Sequence, residues 1–151
     1  MAEAYLHIGM PKTGTTAIQC FLRDNREELK KQGFCYPDFG YAYPKVGAHR
    51  NGYFVSRVDN LYEKEREGSY RKLDKLAKSC EKIILSDEAI WRKQRKLDFW
   101  KTIRERFESL GLTLQIIVYL RRQDEMIESF WNHRVKGKGE TVSFAEYDEW
   151  L

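Results

Sequence analysis

Two glycines, Gly9 and Gly14, stand between a short apolar run, Tyr5-Leu6-His7-Ile8, and the start of an amphipathic stretch. This junction constrains the fold more than any other part of the chain. A strand that ends in a glycine loop and runs into a helix turns the unpaired N–H groups of the helix's first turn toward the loop. The positive end of the helix dipole faces the same way. The stretch Gly9-Met10-Pro11-Lys12-Thr13-Gly14-Thr15-Thr16 therefore reads as a cradle for phosphate or sulfate.

The spacing resembles the nucleotide-binding loop G-x-x-x-x-G-K-[ST], with Thr16 where the Mg²⁺-binding hydroxyl would stand. Position 15 breaks the match, because it carries Thr where that loop requires Lys. The lysine, Lys12, lies inside the loop instead. From there it points at the end of a short phosphate-sulfate group rather than along a triphosphate, so the expected ligand differs from ATP.

With 151 residues, 42% of them hydrophobic and 33% charged, the chain reads as one soluble domain. A chain of that length buries roughly 70% of its unfolded surface. A net charge of +4 suits an anionic ligand, but 27 basic against 23 acidic residues is too mild a balance to argue for nucleic acid. Cys20, Cys35 and Cys80 are widely spaced and lack C-x-x-C, which predicts buried or idle thiols rather than a disulfide or a zinc site. No metal site is expected. The first strand begins within a few residues of Met1 and no apolar run reaches the length of a span, so no signal peptide or membrane span is expected and the cytoplasm is the default compartment.

Beyond the loop, Ile18, Phe21, Leu22 and Leu29 recur at helical spacing, and Lys30-Lys31 before Gly33 mark a helix end. This predicts a helix from about Gly14 to Gln32, then a short strand at Phe34-Cys35-Tyr36. Strand, helix and strand in that order form a βαβ unit, which implies a parallel sheet. Residues 38–47 read as a loop and His49 to Tyr62 as a weak helix. Glu63 to Lys82 is a solvated helix with a stripe of Tyr70, Leu73, Leu76, Ala77 and Cys80. Ile83-Ile84-Leu85 is a buried strand ending at Ser86-Asp87-Glu88. Leu97, Trp100, Ile103, Phe107 and Leu110 mark a helix capped by Gly111. Leu114 to Leu120 is near-continuously apolar, as a central parallel strand should be. It ends in Arg121-Arg122, followed by a helix that buries Met126, Ile127, Phe130, Trp131 and Val135 and closes at Gly137 and Gly139. Ser143-Phe144-Ala145-Glu146 is a capping box. A helix opening so near Leu151 leads us to expect a domain that continues beyond the chain. The site should lie along the carboxyl edge of the sheet.

Together these motifs resemble the sulfotransferases that use 3′-phosphoadenosine 5′-phosphosulfate (PAPS). Pro11-Lys12-Thr13-Gly14-Thr15-Thr16 looks like their 5′-phosphosulfate loop, and Arg121 with Ser129 matches the spacing of their 3′-phosphate site. The resemblance covers roughly Tyr5 to Lys136. It implies a three-layer α/β fold, a parallel sheet flanked by helices, with PAPS as cosubstrate and adenosine 3′,5′-bisphosphate as product. It also implies that Lys12 stabilises the bridging oxygen, aided by the N–H groups of Thr13 to Thr16 and the hydroxyls of Thr15 and Thr16. Arg121 would then read the 3′-phosphate through its planar fork, with Ser129 adding a hydroxyl. Arg122 is the alternative ligand, disfavoured by spacing and by strand alternation.

The small-molecule members of that family use a histidine as base, and this chain has Ser86-Asp87-Glu88 in the corresponding region. Carbohydrate sulfotransferases commonly use glutamate, which makes Glu88 the first candidate base and Asp87 the second. The same cluster also reads as a simple helix cap. His49 is a third candidate, and His7 reads as a packed core residue. Arg92, Lys93, Arg95 and Lys96 could meet an anionic acceptor or form a solvated helix face. Tyr41, Tyr43, Tyr53 and Phe54 could wall an acceptor pocket or pack in the core. The resemblance implies a small molecule or a glycan as acceptor, and the sequence does not fix which. Two rival readings remain: a P-loop NTPase or kinase, because Ile83 to Glu88 also imitates an apolar run before a Mg²⁺-holding acid, and a non-catalytic nucleotide-binding module that lacks the family's C-terminal closing loop.

Overall fold

The computed structural model describes residues 2–39, 50–56, 63–93, 96–139 and 141–148. Four strands, β1 (Ala2–His7), β2 (Phe34–Cys35), β3 (Lys82–Ser86) and β4 (Leu112–Ile117), form one parallel sheet in the order β2-β3-β1-β4. His7 sits opposite Ser86 on one side and Ile117 on the other, so three strands end level. From β1 the chain reaches β2 on one side of the sheet, and from β3 it crosses to β4 on the other. The sheet therefore changes direction at β1, and in open parallel sheets the crevice outside the carboxyl ends at such a point is where ligands bind.

The period-two alternation of the strands gives the sheet two different faces. On one, Ala4, Leu6, Ile83 and Leu85 are buried with Phe54, Val55, Tyr70, Leu73, Phe99, Ile103 and Phe107. The last five come from the helices α4 (Glu63–Ala77) and α5 (Leu97–Ser109). Burying a side chain of this size contributes about 1.5–3 kcal/mol. The alternate positions, His7 and Ser86, meet α1 (Thr15–Asp24) through Gln19. That face is polar at the carboxyl edge, directly below the glycine loop.

Several elements depart from the sequence reading. The first helix breaks at Asn25 into α1 and α2 (Arg26–Lys31), because Asn25 leaves helical geometry at φ −107° and its amide competes for the Phe21 carbonyl at 2.8 Å. The inward stripe of α1 is Thr15 and Gln19, whereas Phe21 is 61% exposed. Within 49–62, the described helix is only α3 (Tyr53–Ser56). The helix after Glu63 ends at Ala77, and it buries Tyr70 and Leu73 as its spacing predicts.

Gly111 closes α5 at φ +70°, although Leu97 is exposed and the buried stripe begins at Phe99. The capping box holds at α7 (Phe144–Asp148), with Ser143 Oγ donating to Glu146 Oε2 at 2.6 Å. The run expected to form a central strand is instead the edge strand β4. It ends at Ile117, and Ile116, Val118, Tyr119 and Leu120 are exposed. Apolar composition reports the character of a strand's faces and carries no count of its hydrogen-bonded neighbours. The helix α6 (Gln123–Lys138) ends at Gly139 in the left-handed region. Its Met126, Ile127, Phe130 and Trp131 are half-buried and Val135 is exposed, less covered than expected. Trp131 packs on Phe144 of α7 at 5.7 Å.

The cysteine reading is overturned: Cys35 and Cys80 form a disulfide, and Cys20 is the thiol outside it. The pairing is spatial, because Phe34 and Cys35 of β2 pair with Lys82 and Ile83 of β3, which brings Cys35 beside the residues that lead into β3. Among the described residues no helix is long and apolar enough to cross a membrane.

Candidate anion-binding site

The loop after β1 is sewn to the end of β4. The Ile8 N–H donates to the Ile117 carbonyl at 3.0 Å and the Met10 N–H to the Tyr119 carbonyl at 3.3 Å. Inside the loop, Thr13 Oγ1 donates to the Met10 carbonyl at 2.5 Å. Gly9 is required on two grounds. Its φ is +30°, and a Cβ there would lie 2.4 Å from Thr15 Cγ2 and 3.1 Å from His7 Nε2. Gly14 is required for conformation alone, at φ +81° with open space around it. It forms the N-cap of α1, which has no side-chain cap and no acidic residue in its first turn. The first-turn N–H groups of this helix are therefore available to an anion.

Lys12 is the one non-glycine residue with positive φ among the described residues, at 69°. Such a backbone costs on the order of 1–3 kcal/mol and persists where its surroundings hold it. Arg121 supplies part of that hold, donating from Nη1 to the Lys12 carbonyl at 2.9 Å while its Nε meets Glu125 at 3.2 Å. Arg121 belongs to the segment after β4 rather than to the strand itself. Arg122 takes the N-cap position of α6 and pairs with Asp124 at 2.6 Å. Of the two arginines, only Arg121 is bonded to the loop. Ser129 lies on α6, half-buried, and its hydroxyl bonds to neither Arg121 nor the loop. Pro11, Lys12 and Thr13 are half-buried, Thr15 is buried, and Thr16 is exposed on the first turn of α1.

The two candidate carboxylates occupy different environments. Glu88 opens the 3₁₀ helix Glu88–Lys93, is half-exposed, and accepts a hydrogen bond from Thr15 Oγ1. It thus borders the loop directly. Asp87 is fully buried. Its Oδ1 takes Arg50 Nε at 2.6 Å and the Ala89 N–H at 3.1 Å, and its own N–H donates to the His7 carbonyl at 3.0 Å. Asp87 therefore caps the 3₁₀ turn and anchors Arg50, as the helix-cap reading expected. Removing one partner of a buried pair of this kind typically costs about 3–5 kcal/mol.

Beneath the loop lies a polar layer. His7 Nδ1 is 2.8 Å from Ser86 Oγ, which also accepts from Gln19 Nε2 at 3.0 Å. The ring stacks edge-on to Tyr119 at 5.3 Å. Burial pushes the His7 imidazole below its ordinary pKa, and the nearby Glu88 carboxylate pulls the other way. Asn51 clamps the layer's edge, donating to the Pro37 and Ile84 carbonyls and accepting from the Ser86 N–H at 2.8 Å. Gly52 follows because a Cβ there would sit 3.1 Å from the Ser86 backbone.

Sequence reasoning missed Gln19, Arg50 and Asn51. Gln19 had a signal, one helical turn after Thr15 on the same face. Arg50 had none, since its partner is distant in sequence. Phe54 is a core residue and Tyr53 lies under the Arg50 guanidinium at 5.6 Å. Arg92 and Lys93 end the 3₁₀ helix, and Lys96 is the N-cap of α5. His49, Tyr41, Tyr43 and Arg95 lie outside the described residues. No trio of His, Cys, Asp or Glu placed to hold a metal occurs among the described residues. No family model matches the chain, and neither curated proteins nor solved structures provide a match.

Proposed function

We propose that the chain binds PAPS in this cradle and transfers its sulfuryl group to an acceptor hydroxyl on a small molecule or a glycan. The observation that carries the reading is the hydrogen bond from Arg121 to the Lys12 carbonyl, which joins two motifs far apart in sequence at one loop. The donor set suits a doubly anionic head group: an uncapped helix N-terminus, a lysine inside the loop and an arginine beside it.

When bound, the phosphosulfate supplies an activated sulfur; the acceptor oxygen bonds to it as the bond to the 5′-phosphate oxygen breaks. Lys12 and the N–H groups of Thr13 to Thr16 hold the charge that grows on that oxygen. Thr15 and Thr16 add hydroxyl donors. Arg121 and Ser129 serve the 3′-phosphate, with Arg121 exchanging its carbonyl partner for the stronger charged one. Glu88, half-exposed at the rim of the loop, accepts the acceptor's proton; Asp87, buried against Arg50, keeps the turn that presents it.

A sulfuryl-transfer assay over a panel of hydroxyl acceptors tests this reading. Lys12→Ala is expected to lower turnover about 10²- to 10³-fold, the usual effect of losing such a donor. Turnover equal to wild type would refute the assignment.

A further inference from the structure

His7 Nε2 is a buried polar atom with no hydrogen-bond partner, on a residue only 3% exposed. Gln19 Nε2–H donates to Ser86 Oγ, so the Ser86 hydroxyl has its own proton free to donate, and His7 Nδ1 is 2.8 Å away. In the tautomer where the Ser86 hydroxyl gives its proton to Nδ1, the neutral ring carries its own proton on Nε2. A buried N–H left without an acceptor is costly, and a state of the molecule that supplies an acceptor is favoured by that much.

The position of that N–H shows what could claim it. Nε2 lies 3.1 Å from where a Cβ on Gly9 would stand, and Thr15 Cγ2 approaches the same point. Thr15 is the residue whose hydroxyl donates to Glu88. The groups about the imidazole are Ser86 from β3, Gln19 and Thr15 from α1 and the Tyr119 ring after β4, and the Glu88 carboxylate is joined to this group through the Thr15 hydroxyl and acts on the ring through its charge. Glu88 alone among them is a charged acceptor. Its hydrogen bond to Thr15 also conflicts with anion binding, because Thr15 has one hydroxyl proton and an anion in the cradle competes for it.

We infer that His7 is a positioning residue for Glu88: when an anion in the loop takes the Thr15 hydroxyl, His7 Nε2–H becomes the donor that holds the released carboxylate. The chain Gln19, Ser86, His7, Glu88 then fixes the carboxylate at the rim of the cradle, and its other oxygen stays available to a proton. Loading the loop and orienting the base become one event. This rests on the reading of Glu88 as the proton acceptor, but the donor exchange itself needs only an anion.

The experiment is nitrogen and proton NMR of the full chain labelled at histidine, at neutral pH, titrated separately with inorganic sulfate and with adenosine 3′,5′-bisphosphate. Without anion, His7 should show the Nε2–H tautomer. Saturation with either anion should move Hε2 downfield, as expected of an N–H gaining a carboxylate acceptor, and Glu88→Ala should abolish the movement. An Nδ1–H tautomer, no response to either anion, or the same response in Glu88→Ala would overturn the inference. In the transfer assay, His7→Phe should lower kcat about ten- to a hundredfold with little change in KM, as misplacement of a reacting group does. His7→Gln, which returns an N–H near the same point, should recover most of it; equal losses in both variants would overturn the positioning role. If sulfate produces the Hε2 response while the bisphosphate binds no better than AMP, the donor exchange stands and the PAPS reading falls.

Discussion

A lysine at φ 69° carries backbone strain that glycine at the same position would not. Lys12→Gly and Lys12→Ala both delete the ammonium, but only the first also relieves the strain. Urea unfolding should therefore find Lys12→Gly about 1 kcal/mol more stable than Lys12→Ala, with both defective in transfer. Equal stabilities would mean that the loop does not hold the residue in this conformation. His7 makes a second prediction at this scale. Its pKa is lowered in the fold by burial, so the unfolded chain binds a proton that the native chain refuses. This penalty is absent well above the ordinary histidine value of about 6.5 and grows as pH falls through it. The unfolding midpoint should drop between pH 7.5 and 5.5, and the slope should be shallower in His7→Gln.

Among the elements, β2 has two residues, too few to hold register by hydrogen bonds alone. The Cys35–Cys80 disulfide fixes it against the entrance to β3, closing a sequence separation of 45 residues. In the chain-entropy model that closure contributes about 4 kcal/mol. Cys35→Ser should lower the unfolding free energy by about 2–4 kcal/mol, measured by urea denaturation without reductant. A change below the error of the method would show that β2 is held by other means.

The legibility of the sequence varied between elements for physical reasons. The strand, loop and first-turn sequence of the cradle was readable because glycine punctuation and helical capping are local. So were the capping box at Ser143 and the glycine closing α5. The disulfide was not, since it depends on β2 and β3 becoming neighbours. Helix α1 misled because its buried stripe is Thr15 and Gln19, which serve a polar layer, while the apolar Phe21 faces outward. The edge position of β4 was hidden for the reason that pairing order is a global property. At the site, the place of Lys12 in the loop was legible from the motif and Glu88 was singled out only through the resemblance, whereas Arg50 and Asn51 act through distant partners.

At the scale of the molecule, the sheet divides its labour by face. The apolar face packs on α4 and α5, and the polar face supports the loop through His7, Ser86 and Gln19. The loop in turn touches both flanks of β1, through Glu88 after β3 and Arg121 after β4. The net charge of +4 favours the approach of an anion without selecting one. In the proposed reading, selection falls to Arg121 and Ser129, which would hold the phosphate that separates PAPS from ATP and AMP. Calorimetry in EDTA, with adenosine 3′,5′-bisphosphate, AMP and ATP titrated into wild type and Arg121→Ala, tests that claim most directly. We predict tighter binding of the bisphosphate than of AMP or ATP by wild type, and loss of that preference in Arg121→Ala. Equal affinity of the wild type for the bisphosphate and AMP would contradict it.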